Sequence, residues 1–228
     1  MDGVKLPAHV GIIMDGNGRW AVMRGKNRSY GHKYGSANVD RIVTHAFSKG
    51  VKALTLYAFS SENWARPKEE VDELMKLLKT YFKKFIKKVV KNNVRLIVVG
   101  DRENLSGDLV KVIEDGERKS RDNSAHILNI AINYGGRQEI VHAVKELIKD
   151  GKEITVESIS ESLYTVESGE PDLIIRTGGE YRLSNFLMYQ GAYSELYFTD
   201  VLWPDFDEIE LDKALDSFGH RKRRFGKV

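Results

Sequence analysis

The sequence predicts an α/β fold: a single domain over residues 1–228, built on a six-stranded, mostly parallel sheet flanked by helices. Three observations predict it. Short apolar runs alternate with stretches of helical spacing along the whole chain, the pattern of a parallel sheet covered on both faces. No internal repeat, low-complexity segment or linker divides the 228 residues. The hydrophobic fraction of 41% in a chain of this length suits one sizeable core, and with no Cys that core is built without disulfides.

The elements follow in order. His9–Met14 is a short apolar run that feeds the turn Asp15-Gly16, and reads as a buried strand. Asn38–Gly50 places Val39, Ile42, Val43, Ala46 and Phe47 at helical spacing, with Gly50 as the stop. Val51–Phe59 is the second strand, and Ser60–Arg66 is a polar loop. Pro67 opens a long helix with the stripe Val71, Leu74, Met75, Leu78, Phe82, Phe85, Ile86 and Val89. Such a stripe is ordinarily core. Here it directly follows a lid-like loop, so it could also wall an apolar tunnel, while its lysine-rich face could meet anionic lipid. Val94–Val99 and Ile127–Ile132 are the next strands, with a helix over Leu105–Arg121 between them. Helices follow over Gln138–Lys149 and Ile154–Leu163, then short strands over Asp172–Arg176 and Leu196–Thr199. A last helix covers Asp207–Phe218.

Ligands of such sheets bind beyond the carboxyl ends of the strands. Four polar segments lie there: Asp15–Trp20, Ser60–Arg66, Asn133–Arg137 and Arg176–Ser184. In the first, glycines let a backbone approach phosphate oxygens, Arg19 offers a guanidinium fork, and Asp15 offers oxygen to a hard cation. Arg24, Arg28 and His32 add basic groups among glycines. Ser60–Arg66, with one Trp and one Arg, has the composition of a lid. Arg176, Arg182 and Ser184 surround a Gly pair, and Glu195 downstream could support a metal. Each segment alone is equally an ordinary surface turn, but three strand ends with arginines and small polar residues together point to two phosphate groups or two phosphorylated substrates.

Several classes are disfavoured. The chain has no G-x-x-x-x-G-K-[ST], no Asp-Asp-x-x-Asp and no Cys/His cluster for zinc. Gly16–Ala21 fits G-x-G-x-x-A, with Asp40 about 20 residues on, but Asp40 falls inside a predicted helix rather than at a second strand end. Asp205-Phe-Asp207 follows Trp203-Pro204 and is better explained as a helix start than as a metal motif. The net charge of +3 comes from the C-terminal cations Arg221, Lys222, Arg223, Arg224 and Lys227. The remainder of the chain sums to −2, which does not suit a nucleic-acid binder. No apolar run approaches the ~20 residues of a membrane span, and Met1–Pro7 has no signal-peptide character, so a cytoplasmic location is expected.

Taken together these residues resemble the cis-prenyltransferase family, in its bacterial undecaprenyl diphosphate synthase branch. The matching stretches are HVGIIMDGNGRWA from His9, RSYGHKYG from Arg28, LTLYAFSSENWARP from Leu54, LNIAINYGGR from Leu128, DLIIRTGGEYRLSNF from Asp172 and YSELYFTDVLWPDF from Tyr193. The resemblance implies a homodimer with an apolar tunnel. It implies addition of isopentenyl diphosphate units to an allylic diphosphate such as farnesyl diphosphate, with Mg²⁺ as cofactor, and transient membrane-surface contact for product release. It implies that Asp15 binds Mg²⁺ and assists departure of the allylic diphosphate, that Gly16, Asn17, Gly18 and Arg19 cradle that diphosphate with Arg28 and His32, and that Trp20 lines the site. Ser60, Ser61, Glu62, Asn63, Trp64 and Arg66 match the lid. Asn63 matches a position assigned as proton acceptor, although a neutral amide is a poor base and better suited to orienting substrate. Arg176, Arg182, Leu183 and Ser184 match the isopentenyl diphosphate site, Glu195 a second metal-supporting position, and Arg224 and Gly226 a C-terminal R-x-G that reaches phosphate. Tyr181 departs from the family pattern, where many bacterial members have His. His126 is also unexpected and falls near the tunnel floor. A non-catalytic partner subunit of the same family is the alternative; such partners lack the aspartate of the first motif, which is present here.

Overall fold

The computed structural model describes residues 5–221. Its strands are β1 His9–Ile13, β2 Ala53–Ser60, β3 Val94–Val99, β4 His126–Tyr134, β5 Leu173–Arg176 and β6 Glu195–Phe198. They form one sheet in the order β3-β4-β2-β1-β5-β6 with every pair parallel. The five residues of β1 are all buried, as expected of a central strand covered on both faces. The chain steps from β1 to β2 on one side and reaches β5 on the other. The carboxyl ends of β1, β2 and β5 therefore enclose the crevice where ligands of such sheets bind.

Seven helices are described: α1 Asn17–Val22, α2 Arg28–Ser48, α3 Lys68–Lys91, α4 Gly107–Lys119, α5 Gly136–Lys149, α6 Val156–Glu161 and α7 Glu208–Gly219. The sheet separates two apolar layers. Val10, Ile12, Leu54 and Leu56 face the larger one with α2, α3, α4 and α7, while Ile13, Ile174, Phe186 and Leu187 form the smaller one.

Two segments differ from their sequence expectation. The glycine turn after β1 is itself helical, as α1. Helix α2 begins at Arg28, ten residues before the apolar periodicity starts, capped by Asn27 Oδ1 accepting from the Tyr30 N–H at 3.0 Å. The cause of both is Gly31 and Gly35, which lie one helical turn apart on α2. A Cβ at either would stand 1.9 Å from an Asn17 oxygen, so only glycine lets α1 pack against α2 here. Glycines that suggest a loop when taken singly are a helix contact when taken as a pair. The D-x-D segment is a helix start, as expected, with Asp207 Oδ1 accepting from the Glu210 N–H. Asp40 of the dinucleotide alternative sits on α2 and pairs with Lys88 Nζ at 2.7 Å.

The stripe of α3 divides along its length. Phe82, Phe85, Ile86 and Val89 are buried core, whereas Leu74, Met75, Leu78 and Tyr81 are only partly covered. Val71, at the start of the helix, is buried as well, and Leu74, Leu78, Tyr81 and Phe82 wall a cavity.

Candidate active site

The cavity has a volume of about 370 Å³ and lies between the sheet, α2 and α3. Its walls are apolar: Val39 of α2, Leu56, Ala58 and Ile130 of the sheet, and Leu74, Leu78 and Phe82 of α3. Its mouth is polar and is formed by Asp15, Asn17, His32, Asn63, Arg66, Arg176, Arg182 and Ser184. A second, smaller cavity of about 200 Å³ lies toward the amino ends of β3 and β4 and is bordered by Phe47, Phe85, Val94 and His126.

Parallel pairing of β1 with β5 sets Ile13 beside Arg176, and so brings Asp15 to the arginine. Arg176 is only 4% exposed. Its Nη2 donates to Asp15 Oδ2 at 2.9 Å, and its Nη1 donates to Ser184 Oγ at 2.7 Å and to the Arg182 carbonyl at 2.5 Å. The Gly16 N–H caps Asp15 Oδ1 at 2.6 Å, and Arg19 Nη2 lies 3.4 Å from the same oxygen. Gly178, at φ 87°, brings its backbone against Arg19; a Cβ there would lie 2.7 Å from Nη2. Ser184 also has positive φ, 49°, strain of the kind that functional loops hold.

The lid segment is anchored. Residues Ser61–Ala65 form a 3-10 turn whose capping box joins Ser60 and Asn63. Trp64 Nε1 donates to Asn133 Oδ1 at 2.7 Å and its ring meets Phe59 edge-on, so Trp64 packs under the turn. Asn63 Oδ1 accepts from the Ser60 N–H at 3.1 Å, and Glu62 Oε1 accepts from Asn185 Nδ2 at 2.8 Å. A register shift in the β2–β4 pairing at Tyr57–Phe59 turns the strand end toward the lid.

His32 lies at the mouth with its Nε2 buried and without a hydrogen-bond partner. Burial, reinforced by the charge of Arg66, holds its pKa down at about 4, so the ring is neutral at physiological pH. A buried polar atom left open beside arginines is a place for a ligand oxygen.

Not every expected residue reaches the cavity. Trp20 turns away from it: its Nε1 donates to Asp205 Oδ1 at 2.7 Å, and its ring packs against Tyr34. Arg28 lies behind Gly18. Ser61, Glu62 and Trp64 support the turn rather than line the cavity, and Leu183 packs on the smaller apolar layer. Glu195 is the first residue of β6, paired in register with Leu173 at the amino end of the sheet, where it binds Arg221 Nη1 at 2.8 Å. That places it about 10 Å along the strand direction from Arg176, so within one chain it does not share an ion with Asp15. Arg224 and Gly226 lie outside the described residues. His126 Nδ1 donates to the Val51 carbonyl at 2.9 Å, and the ring stacks on Phe47 beside the second cavity.

Sequence reasoning missed two carboxylates. Glu70 meets Arg66, Arg28 and His32, and Glu180 meets Arg182 at 2.5 Å and Arg19 at 3.7 Å. The motif search for phosphate binding looks for cations and has no signal for their counter-ions. Tyr57 was missed as well; its hydroxyl donates to the Tyr134 carbonyl at 3.1 Å at the edge of the cavity, and burial pushes its pKa up.

A parallel sheet whose strand ends hold an arginine-lined mouth above an apolar cavity defines an enzyme for ligands with a phosphorylated head and a hydrocarbon tail. Comparison with known proteins makes the class specific. Residues 13–226 match a family described as "Putative undecaprenyl diphosphate synthase". The chain is 54% identical to an isoprenyl transferase of Fusobacterium nucleatum, over 98% of this chain and 97% of that protein. It is 48% identical to the ditrans,polycis-undecaprenyl-diphosphate synthase ((2E,6E)-farnesyl-diphosphate specific) of Escherichia coli K12, over 97% and 92%. Among solved structures, lavandulyl diphosphate synthase from Lavandula x intermedia, in complex with dimethylallyl diphosphate, superposes with a TM-score of 0.93 at 36% identity, covering 97% of this chain and 99% of that one. The chain belongs to the undecaprenyl diphosphate synthase family of prenyltransferases.

Proposed function

We propose that this enzyme condenses isopentenyl diphosphate sequentially onto an allylic diphosphate, with farnesyl diphosphate as starter, to make a long-chain cis-polyprenyl diphosphate of the undecaprenyl type. The observation that carries this is the junction of the Asp15–Arg176 mouth with the cavity walled by Val39, Leu56, Leu74 and Phe82. The head of such a substrate is anionic and its tail apolar, and the two halves of the cavity match them.

Asp15 fits Mg²⁺. It is a hard oxygen donor, one carboxylate at a partly open position, and no cluster of three metal-ligating side chains stands among the described residues. That suits an ion which keeps most of its shell as water and substrate phosphate. When bound, Mg²⁺ would neutralise part of the charge on the departing diphosphate. The chain's own groups act around it. Arg19 and the first-turn amides of Asn17 and Gly18 hold the allylic diphosphate, supported by Arg28 and neutral His32. Arg176, Arg182 and Ser184 hold that of isopentenyl diphosphate. As the allylic C–O bond breaks, charge collects on the leaving oxygens, and fixed donors stabilise it more than they stabilise the ground state. The apolar walls keep water from the allylic cation. Asn63, stapled to Ser60, orients substrate rather than taking a proton.

The proposal includes a homodimer acting in the cytoplasm. Support for the dimer is the exposure of Val141 and Ile148, seven residues apart on α5, and of Val156 on the neighbouring α6. Glu195 would then support the metal from the second copy. Transient membrane contact during product release is supported by exposed Val22 and Met23 at the end of α1, flanked by Arg24 and Lys26. No helix among the described residues is long and apolar enough to cross a membrane.

The test is incubation with Mg²⁺, farnesyl diphosphate and labelled isopentenyl diphosphate, with products resolved by chain length, beside Asp15→Ala. The expected result is a Mg²⁺-dependent ladder that falls by about 10²–10³-fold in the variant. No product from the unaltered chain with any allylic starter would leave the non-catalytic partner subunit as the function.

A further inference from the structure

Glu70 sits in the first turn of α3, just outside the lid, and is the convergence point of three groups: Arg66 and His32 at the mouth, and Arg28 behind Gly18. Arg66 Nη1 donates to its Oε1 at 3.0 Å; Arg28 Nε stands 3.6 Å and His32 Nε2 3.9 Å from the same oxygen. The Glu70 side chain is 17% exposed. Its three neighbours come from different parts of the chain. Arg66 ends the lid, and Arg28 and His32 stand one turn apart on α2, with the Arg28 guanidinium flat against Gly18 of α1. Without a counter-charge, the two guanidinium groups would repel one another, and the buried His32 ring, neutral and without a hydrogen-bond partner at Nε2, would not separate their charges.

We infer that Glu70 is an internal stand-in for a phosphate: it holds Arg28, Arg66 and His32 in their binding arrangement while the mouth is empty, and a diphosphate must compete with it for them. It is a positioning residue, not one that touches the reacting atoms. Two consequences follow from charge alone. Before binding, the carboxylate keeps the lid and α2 together, which lowers the cost of organising the site. After binding, its negative charge opposes that of the diphosphate and favours release of the pyrophosphate product. The opposition is electrostatic, so it vanishes when Glu70 is made neutral. Glutamine keeps the carbonyl oxygen that accepts from Arg66 and removes only the charge, so it separates the two roles.

This inference rests on the diphosphate reading of the mouth, and the experiment distinguishes the failure of each. Binding of inorganic pyrophosphate, without metal, is measured by calorimetry for the unaltered protein, Glu70→Gln, Glu70→Asp and Glu70→Ala. The expected result is binding about tenfold tighter for Glu70→Gln at low salt, with the gain shrinking as ionic strength rises. Glu70→Asp, which retains the charge, stays near the unaltered value. In turnover, Glu70→Gln shows stronger inhibition by pyrophosphate and a lower KM for the allylic substrate, which loss of structure would not produce. Glu70→Ala, which also loses the bond to Arg66, gains less affinity, and amide exchange over the lid becomes faster. It replaces Glu70→Gln should the latter not melt cooperatively. Equal or weaker pyrophosphate binding in the neutral variants, with the unaltered protein binding normally, overturns the role of Glu70. Absence of pyrophosphate binding in the unaltered protein overturns the diphosphate reading itself.

Discussion

His9 and His32 stand at opposite ends of the same sheet, and both have a pKa held near 4 by burial. Their surroundings differ. His9, at the amino end, donates from Nδ1 to the Gly169 carbonyl at 2.8 Å, and its Nε2 accepts from the Thr55 hydroxyl at 2.7 Å. The carbonyl can only accept, so it fixes the tautomer, and Thr55 Oγ1 accepts in turn from Asn129 Nδ2 at 2.8 Å. His32, at the carboxyl end, has a buried Nε2 with nothing bonded to it. A fully satisfied buried imidazole is structure, while one left open beside arginines is a binding group kept short of a partner. The same residue type and nearly the same pKa thus carry opposite meanings, separated by the hydrogen-bond count and by the arginines beside His32.

The largest expected effect that sharpens this comparison is on pH. Both rings have folded values below that of a free imidazole, so between pH 6.5 and about 4 the unfolded chain binds more protons than the folded one. Stability then falls as pH falls through that window, by up to about 3 kcal/mol for each ring. Denaturant melts at a series of pH values should show about two protons taken up on unfolding near pH 5 beyond those of the carboxylates; a slope that His9→Phe does not reduce breaks the argument. Bound pyrophosphate should flatten the His32 share, because an anion beside that ring lets it charge in place.

Substitution follows in size. His9→Ala strands the Gly169 carbonyl and should cost about 2–4 kcal/mol in urea unfolding, while turnover per folded molecule is retained. His32→Ala removes an unsatisfied group, so stability should move by less than about 1 kcal/mol, while pyrophosphate affinity drops several-fold. The reverse pattern would exchange the roles assigned to the two rings.

The smallest stability effect belongs to Glu195. Its pair with Arg221 is partly exposed, so Glu195→Ala should lower stability by less than about 1 kcal/mol. Its effect on turnover comes through a second copy if the proposed dimer forms. Mixed preparations of Asp15→Ala and Glu195→Ala should then recover activity that neither has alone, and no recovery at any mixing ratio argues against a shared site.

Much of the fold was legible because local periodicity decides local structure. All six strands begin and end within about two residues of the apolar runs that predict them. The helix boundaries were less legible where glycines intervened. Gly31 and Gly35 interrupt the apolar pattern at the start of α2, and their purpose appears only when Asn17 of α1 is placed against them. The stripe of α3 had three readings: core, tunnel wall or a lipid-facing helix. Val71, Phe82, Phe85, Ile86 and Val89 are core, and Leu74, Leu78, Tyr81 and Phe82 also border the cavity, because a side chain can pack on the core with one side and line a cavity with the other.

The sequence by itself determined the α/β class, the strand ends that carry polar groups, and the identities of Asp15, Arg19, Arg176, Arg182 and Ser184, since residue types and spacings are local properties. Only the tertiary structure decided how these residues meet. Asp15 and Arg176 are 161 positions apart and touch because β1 pairs with β5. Glu70 gathers Arg28, His32 and Arg66 because α2 and α3 are neighbours. Glu195 is kept from the mouth because parallel register sets it beside Leu173, at the far end of the sheet. Charge and hydrogen-bond partners depend on distances of a few ångströms between segments remote in the chain, and strand order and register set those distances.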